Sequence, residues 1–121
     1  MPLSINSRVE DNFGILELSG SLTLGPSLSS LREGARQLLA TPKLAGIILH
    51  VKEISVTDSS GLGELTVVYT LATKRGCPIR LAETTASLRK MLEMTRLDGL
   101  LPSSDDMNAA KAAIAKNRSP I

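Results

Sequence analysis

The sequence predicts an α/β fold, with a mixed but mostly parallel β-sheet and about four helices in the order β-β-α-β-α-β-α-α. A hairpin pattern opens the chain, and apolar runs of strand length then alternate with segments of helical periodicity. Strands that alternate with helices are joined by crossovers, so the later strands are expected to be parallel. A single domain is expected over residues 1–121, with an ordered core at residues 3–116 and a short frayed tail from Asn117 to Ile121.

The hairpin is predicted from alternation at the start of the chain. Leu3, Ile5 and, less regularly, Val9 alternate with polar residues, as in a half-buried strand. A turn pattern at residues 11–14 is followed by a second strand, predicted at residues 15–18.

A loop and a helix are predicted next. Residues 20–25 are expected to form the loop, and Pro26 is expected in the first turn of the helix, where its missing N–H is not needed. The Thr41-Pro42 pair ends the helix. Five residues share its predicted apolar face: Leu28, Leu31, Ala35, Leu38 and Leu39.

The apolar run at residues 47–51 is typical of a strand that is covered on both faces in a parallel sheet. A second helix is predicted after it and is expected to end at Gly76, which follows the cations Lys74 and Arg75.

The predicted elements of the last third are a short strand, two helices and an optional edge segment. They are a strand at residues 78–82, a helix capped by Thr84 or Thr85 and ended by Gly99, an edge segment at residues 100–101, and an alanine-rich helix capped by Ser103 and Ser104.

The composition narrows the functional class. A net charge of +2, one Phe, one Tyr and no Trp do not predict binding to nucleic acid or to an anionic membrane. One cysteine excludes an internal disulfide and a cysteine-based zinc site. The chain shows no signal-peptide pattern and no apolar stretch of membrane-spanning length, so we expect a soluble, cytoplasmic protein.

The rest of the chain is organised around residues 57–65, between the buried strand and the second helix. Asp58, Ser59 and Ser60 are all good helix-capping residues. Gly61 and Gly63 are unusual there, because glycine costs a helix about 1 kcal/mol relative to alanine. Glycine in return allows close approach of the backbone to another element or to a partner. Partners gather at the carboxyl ends of strands in open α/β sheets, so this segment lies on the expected functional edge.

Residues 58–63, Asp-Ser-Ser-Gly-Leu-Gly, resemble the signature of STAS domains, in particular that of bacterial anti-sigma factor antagonists. In that family the serine after the aspartate is the phosphorylation site, which corresponds to Ser59. Residues 20–22, Gly-Ser-Leu, and residues 92–97 also resemble family patterns. The acidic residue usual after Gly-x-Leu is Thr23 in this chain.

The resemblance implies a binding protein rather than an enzyme. Its implied partners are an anti-sigma factor with serine kinase activity, which would bind the unmodified chain and phosphorylate Ser59, and a serine phosphatase that would reset it. The expected contact residues around Ser59 are Ser21, Thr23, Asp58, Ser60, Gly61, Leu62 and Glu64. No cofactor is expected, since the chain has no Walker loop and no third glycine of a dinucleotide fingerprint. A monomer or weak dimer is expected.

Other interpretations of the same residues remain open. Ser59 and its neighbours could serve only as a helix cap in a STAS subunit of a signalling or lipid-transport complex that is never phosphorylated. A hydrolase would need a base beside Ser59, and His50 is the only histidine. We expect His50 to be a core residue with one satisfied nitrogen, and Cys77 to be a buried filler. Met94 could line a partner groove.

Overall fold

The computed structural model describes residues 2–118 as a five-stranded sheet with four helices. Residues 119–121 of the predicted frayed tail lie outside the described residues. The elements are β1 (Ser4–Glu10), β2 (Phe13–Leu22), α1 (Ser30–Leu39), β3 (Gly46–Thr57), α2 (Ser59–Lys74), β4 (Ile79–Ala82), α3 (Ala86–Met94), β5 (Ser103–Ser104) and α4 (Met107–Arg118).

The sheet has the strand order β1-β2-β3-β4-β5, and only the β1–β2 pair is antiparallel. This arrangement confirms the mixed, mostly parallel sheet. The hairpin closes through Asp11 and Asn12, which have φ values of 54° and 68°. A two-residue hairpin turn requires such positive φ angles, and Asp and Asn tolerate them better than most residues.

Helices cover both faces of the sheet. On one face α1, α2 and α3 pack against the larger apolar core, and the predicted buried face of α1 lies within it. On the other face Ala110 and Ile114 of α4 pack against Phe13, Ile15 and Ile48. Alternate residues of β3 point into the two cores, which confirms that this strand is covered on both sides over residues 47–49.

The hairpin and the strand beside it extend further than predicted. β2 continues to Leu22, and β3 continues to Thr57. The loop that was expected at residues 20–25 therefore begins only at Thr23. A series of turns follows it, and the regular part of α1 begins at Ser30. The β2–β3 register shifts twice, and Gly20 beside the second shift has a φ of 92°. These irregularities break the alternation of side chains, so the strand pattern could not be recognised in the sequence.

The segment after α3 also differs from the prediction. The helix ends at Met94 rather than Gly99, because Arg96 takes the left-handed conformation with a φ of 60°. The N–H of Leu97 then donates to the carbonyl of Leu92 over 2.8 Å, which closes the helix with the bond typical of a glycine cap.

The last strand and the last helix are placed differently as well. The fifth strand is Ser103–Ser104 rather than residues 100–101, so these serines do not cap the final helix. Asp106 caps α4 instead, since its Oδ1 accepts from the N–H of Ala109 over 2.7 Å.

Candidate functional site

Ser59 is the first residue of α2 and is exposed at the carboxyl end of β3. β4 pairs with β3 only as far as His50, so the final part of β3 projects beyond β4 together with the end of β2. The projecting ribbon and the start of α2 place Ser59 at the edge of the sheet where the sequence predicted it.

Asp58 caps α2 and ties it to a second loop. Its Oδ1 accepts from the N–H of Gly61 over 2.9 Å, and its Oδ2 accepts from the N–H of Leu24 over 3.0 Å. These backbone hydrogen bonds, that of Gly61 foremost, lower the pKa of the Asp58 carboxyl below its ordinary value. The carboxylate therefore stays charged at neutral pH while it fixes the loop after β2 against the start of α2.

Gly61 is required by the packing of α2 on β2. A Cβ atom at this position would lie 1.9 Å from the carbonyl oxygen of Leu22, a distance that no side chain could tolerate. Of the two explanations given for the glycines, approach to another element therefore applies to Gly61. Gly63 is different, because a Cβ atom there would meet nothing within 4 Å. The packing of this chain does not explain why Gly63 is a glycine.

Two of the expected contact residues are turned inward. The Leu62 side chain is buried in the larger core. Glu64 is also buried, and its carboxylate forms an ion pair with the Arg32 guanidinium of α1. Two hydrogen bonds make up this pair: Nε of Arg32 donates to Oε2 over 3.1 Å, and Nη2 donates to Oε1. The Glu64 carboxylate raises the pKa of Arg32. Leu62 and Glu64 thus hold α2 in place instead of presenting side chains at the surface.

The other expected contact residues lie at the same end of the sheet as Ser59. Ser60 follows it in the first turn of α2, and Ser21 pairs with Val56 where the β2–β3 ribbon ends. Thr23 begins the loop that Asp58 holds through Leu24. Ser21, Thr23 and Ser60 are all half-buried.

Sequence reasoning missed two apolar side chains at this edge. Leu24 is 77% exposed and Val56 is 50% exposed, and each adjoins a residue of the predicted site. We name the surface formed by Thr23, Leu24, Val56, Ser59 and Ser60 the Ser59 surface. Leu24 and Val56 each follow a buried apolar residue by two positions, Leu22 and Ile54 respectively, so the sequence did not distinguish them from core residues.

His50 is not a simple core histidine. It is half-buried on β3, with Nε2 in hydrogen-bond contact with Oε2 of Glu83 and Nδ1 3.5 Å from Oε2 of Glu17. Both ring nitrogens therefore face carboxylates, whereas one satisfied nitrogen was expected. Thr57 lies seven positions after His50 along the same strand, roughly 20 Å at the usual rise, so His50 is not placed to activate Ser59.

Two other kinds of feature are absent from the described residues. None of the helices within residues 2–118 is long and apolar enough to cross a membrane. Over the same residues, no group of three or more His, Cys, Asp or Glu side chains is placed to hold a metal ion.

Solved structures with a similar fold include proteins described as anti-sigma factor antagonists, one of them only a candidate. The chain matches an anti-sigma factor antagonist candidate of Thermotoga maritima at a TM-score of 0.81 and 17% identity, over 92% of this chain and 94% of that one. It matches an anti-sigma factor antagonist of Mycobacterium paratuberculosis at a TM-score of 0.78 and 16% identity, over 93% of this chain and 94% of that one. It also matches the Bacillus cell fate determinant SpoIIAA in its phosphorylated form, at a TM-score of 0.65 and 17% identity, over 96% of this chain and 99% of that one. At these identities the matches show a shared fold.

The family is shown by a match to the sequence itself. A family model described as "Mlab, STAS domain" matches residues 5–102. This range runs from the second residue of β1 through β4 and includes the first three helices. The Asp-Ser-Ser-Gly segment lies within the matched range at the start of α2. This chain belongs to the STAS domain family.

Proposed function

We propose that the chain is an anti-sigma factor antagonist, which binds an anti-sigma factor through the Ser59 surface. The exposure of Ser59 at the capped start of α2, at the same end of the sheet as the exposed side chains of Leu24 and Val56, is the observation that carries the proposal. Exposed apolar side chains rimmed by polar residues are typical of protein-binding surfaces. The antagonists among the structural neighbours support the same function.

In this proposal, phosphorylation of Ser59 switches binding off. A phosphoserine adds about −1.5 to −2 charges at neutral pH. The N-terminus of α2 favours a negative charge, so the fold should tolerate the phosphate. However, Asp58 already accepts from Gly61 and Leu24 and is charged, so the phosphate adds to an existing negative charge.

The size of the electrostatic effect is sufficient for a switch. Reversing a binding equilibrium from 99:1 to 1:99 requires about 5.5 kcal/mol. One like-charge pair at 4 Å contributes about 4 kcal/mol at the effective dielectric near a protein surface. A dianion held against a docked partner, together with its bulk, supplies the remainder. The kinase is the anti-sigma factor itself in this scheme, and a serine phosphatase restores the unmodified chain.

A second candidate function is a STAS subunit of a signalling or lipid-transport assembly that is never phosphorylated. The description of the matching family, "Mlab, STAS domain", favours it, because that description does not name an anti-sigma factor antagonist. In this case Asp58 and Ser59 would only order the start of α2.

Partner binding by substituted chains separates the two functions. Wild type, Ser59→Ala and Ser59→Asp are compared for binding to the kinase-like protein that co-purifies with the chain. The matched control is Ser87→Asp, which adds the same charge at an exposed serine in the first turn of α3.

The proposed phosphorylation switch predicts that Ser59→Ala and Ser87→Asp bind the partner like wild type. It also predicts that Ser59→Asp loses affinity for the partner, while its circular dichroism and melting temperature remain those of wild type. Equal binding by all four chains, or a co-purifying partner without a kinase-like ATPase domain, would favour the scaffold subunit.

A further inference from the structure

The outer edge of β1 is the least protected edge of the sheet. β1 forms a regular ladder with β2 from Ser4 to Glu10, without a register shift. Within residues 2–118, no backbone hydrogen bond outside that ladder involves residues 4–10. The opposite edge, β5, has only two residues, and the projecting part of β3 is interrupted by register shifts. A long, regular, unpaired strand is a template for another strand.

The hairpin turn determines which backbone groups face outward. In a hairpin with a two-residue turn, the closing pair exchanges backbone hydrogen bonds, and here that pair is Glu10 and Phe13. Hydrogen-bonded pairs alternate with non-bonded pairs along an antiparallel ladder. The N–H and C=O groups of Ile5, Ser7 and Val9 therefore point away from β2, toward solvent.

We propose that β1 pairs antiparallel with β1 of a second copy of the chain, about a two-fold axis at Ser7. The two Ser7 residues then face each other, and Ile5 of each copy faces Val9 of the other. About six backbone hydrogen bonds join the strands, and the two sheets become one continuous sheet.

The side chains of β1 suit this register. Val9 is 48% exposed in the single chain, while Ile5 on the same side of the sheet packs against the core beside α1. The pairing covers each exposed Val9 with an Ile5 that the fold already holds in place. Aliphatic pairs across neighbouring strands are among the contacts that stabilise sheets.

The charges of β1 are compatible with a weak pairing. Arg8 lies opposite Asn6 of the other copy and Glu10 opposite Ser4, so no like charges lie directly opposite each other. The two Arg8 residues are diagonal neighbours at a Cα separation of about 8 Å, and each is neutralised by Glu17 of its own chain. Arg8 forms an ion pair with Glu17 of β2, in which Nη1 lies 2.8 Å from Oε1. Glu10 forms an ion pair with Lys111 of α4, in which Oε1 lies 2.6 Å from Nζ. Both charges are held on the face of the sheet, away from the strand edge.

The contact is small, so the dimer should be weak. Stable dimers bury about 800 Å² per partner or more, and one strand of seven residues with few flanking contacts supplies less than this. We expect a dimer that forms with rising concentration. The inference is independent of the proposed function.

Sedimentation over a concentration series, from about 10 μM to about 1 mM, tests the dimer. Wild type should shift from monomer to dimer, and Ser7→Pro should remain monomeric, because proline removes an outward N–H and none that β2 uses. If Ser7→Pro does not fold, Val9→Lys replaces it, since it removes the Ile5–Val9 contact. Val56→Lys is the matched control at a similarly exposed valine of β3, and it should dimerise like wild type. A wild-type monomer at every concentration, or dimers of Val9→Lys equal to wild type, would overturn the proposal.

Cysteine crosslinking tests the register. In a chain with Cys77→Ala, Ser7→Cys places two thiols on facing residues at a Cα separation of about 5.5 Å, within disulfide range. Ser4→Cys is an equally exposed control on the same strand, but its two thiols would lie roughly 20 Å apart. Rapid disulfide formation by Ser7→Cys alone supports the register. Equal crosslinking of both chains, or of neither, contradicts it.

Discussion

The backbone N–H of Leu24 donates a hydrogen bond to Oδ2 of Asp58 over 3.0 Å, although 34 residues separate the two in the sequence. The same carboxylate caps α2 through the N–H of Gly61. One side chain thus fixes both the helix that begins with Ser59 and the loop that presents Leu24. The arrangement of the Ser59 surface therefore depends on the Asp58 side chain.

Asp58→Asn tests the contribution of the Asp58 charge to stability. The pKa of Asp58 is lowered in the folded chain, so its contribution is present at neutral pH and is lost as the pH falls below its ordinary value of 3.8 toward the folded pKa. Asparagine is also a good capping residue, so the substitution removes the charge and leaves a cap. We expect lower stability than wild type at pH 7 and a difference that shrinks in acid.

Urea denaturation of both chains at several pH values measures this difference. Asp98→Asn is the control, because Asp98 is an exposed aspartate in the segment after α3. A wild-type advantage over Asp58→Asn that is unchanged below pH 3.8 would show that the hydrogen bonds do not depend on the charge.

Gly61 and Gly63 should respond oppositely to alanine. Gly61→Ala forces the new Cβ against the Leu22 carbonyl and should destabilise the chain by about 2 kcal/mol or more. Gly63→Ala has open space and should stabilise α2 by about 0.5–1 kcal/mol. The free energies of unfolding, measured with urea, test the pair. A stable Gly61→Ala chain would mean that α2 does not lie this close to β2.

The exposed apolar side chains of the Ser59 surface should contribute to partner binding without contributing to stability. Leu24→Ser and Val56→Ser should each weaken binding to the anti-sigma partner at least fivefold, which corresponds to about 1 kcal/mol, and leave the melting temperature within a few degrees of wild type.

Calorimetric titration with the purified partner measures these affinities. Met94→Ser is the control, because Met94 is as exposed as Leu24, at 73% against 77%, but lies at the carboxyl end of α3. Weakening by Met94→Ser alone would place the docking surface on α3, where the sequence suggested a partner groove.

The sequence predicted those features of the fold that local chemistry determines. The hairpin, the strand at residues 47–49, the cap at Asp58 and the end of α2 at Gly76 each follow from alternation, apolar runs or capping residues, and each is observed. The Ser59 segment was located at the carboxyl end of its strand by the same reasoning.

The remaining features depend on contacts between distant residues. Glu64 was expected at the surface because its partner, Arg32, lies 32 residues earlier on another helix. β2 and β3 extend past their predicted ends because they support each other across two register shifts. Arg96 ends α3 in a conformation that the sequence would assign to Gly99. Leu24 was overlooked because its backbone hydrogen bond to Asp58 positions it, and backbone bonding has no sequence signature.

The most direct test of the proposed switch compares the affinity of the anti-sigma partner for the unmodified chain and for a chain with phosphoserine at position 59. One like-charge contact of about 4 kcal/mol predicts that phosphorylation weakens binding on the order of 1,000-fold. The melting temperature should remain close to that of the unmodified chain, because the start of α2 tolerates an anion. Equal affinities for the two forms would contradict the charge switch and leave Ser59 as a helix-start residue of a scaffold subunit.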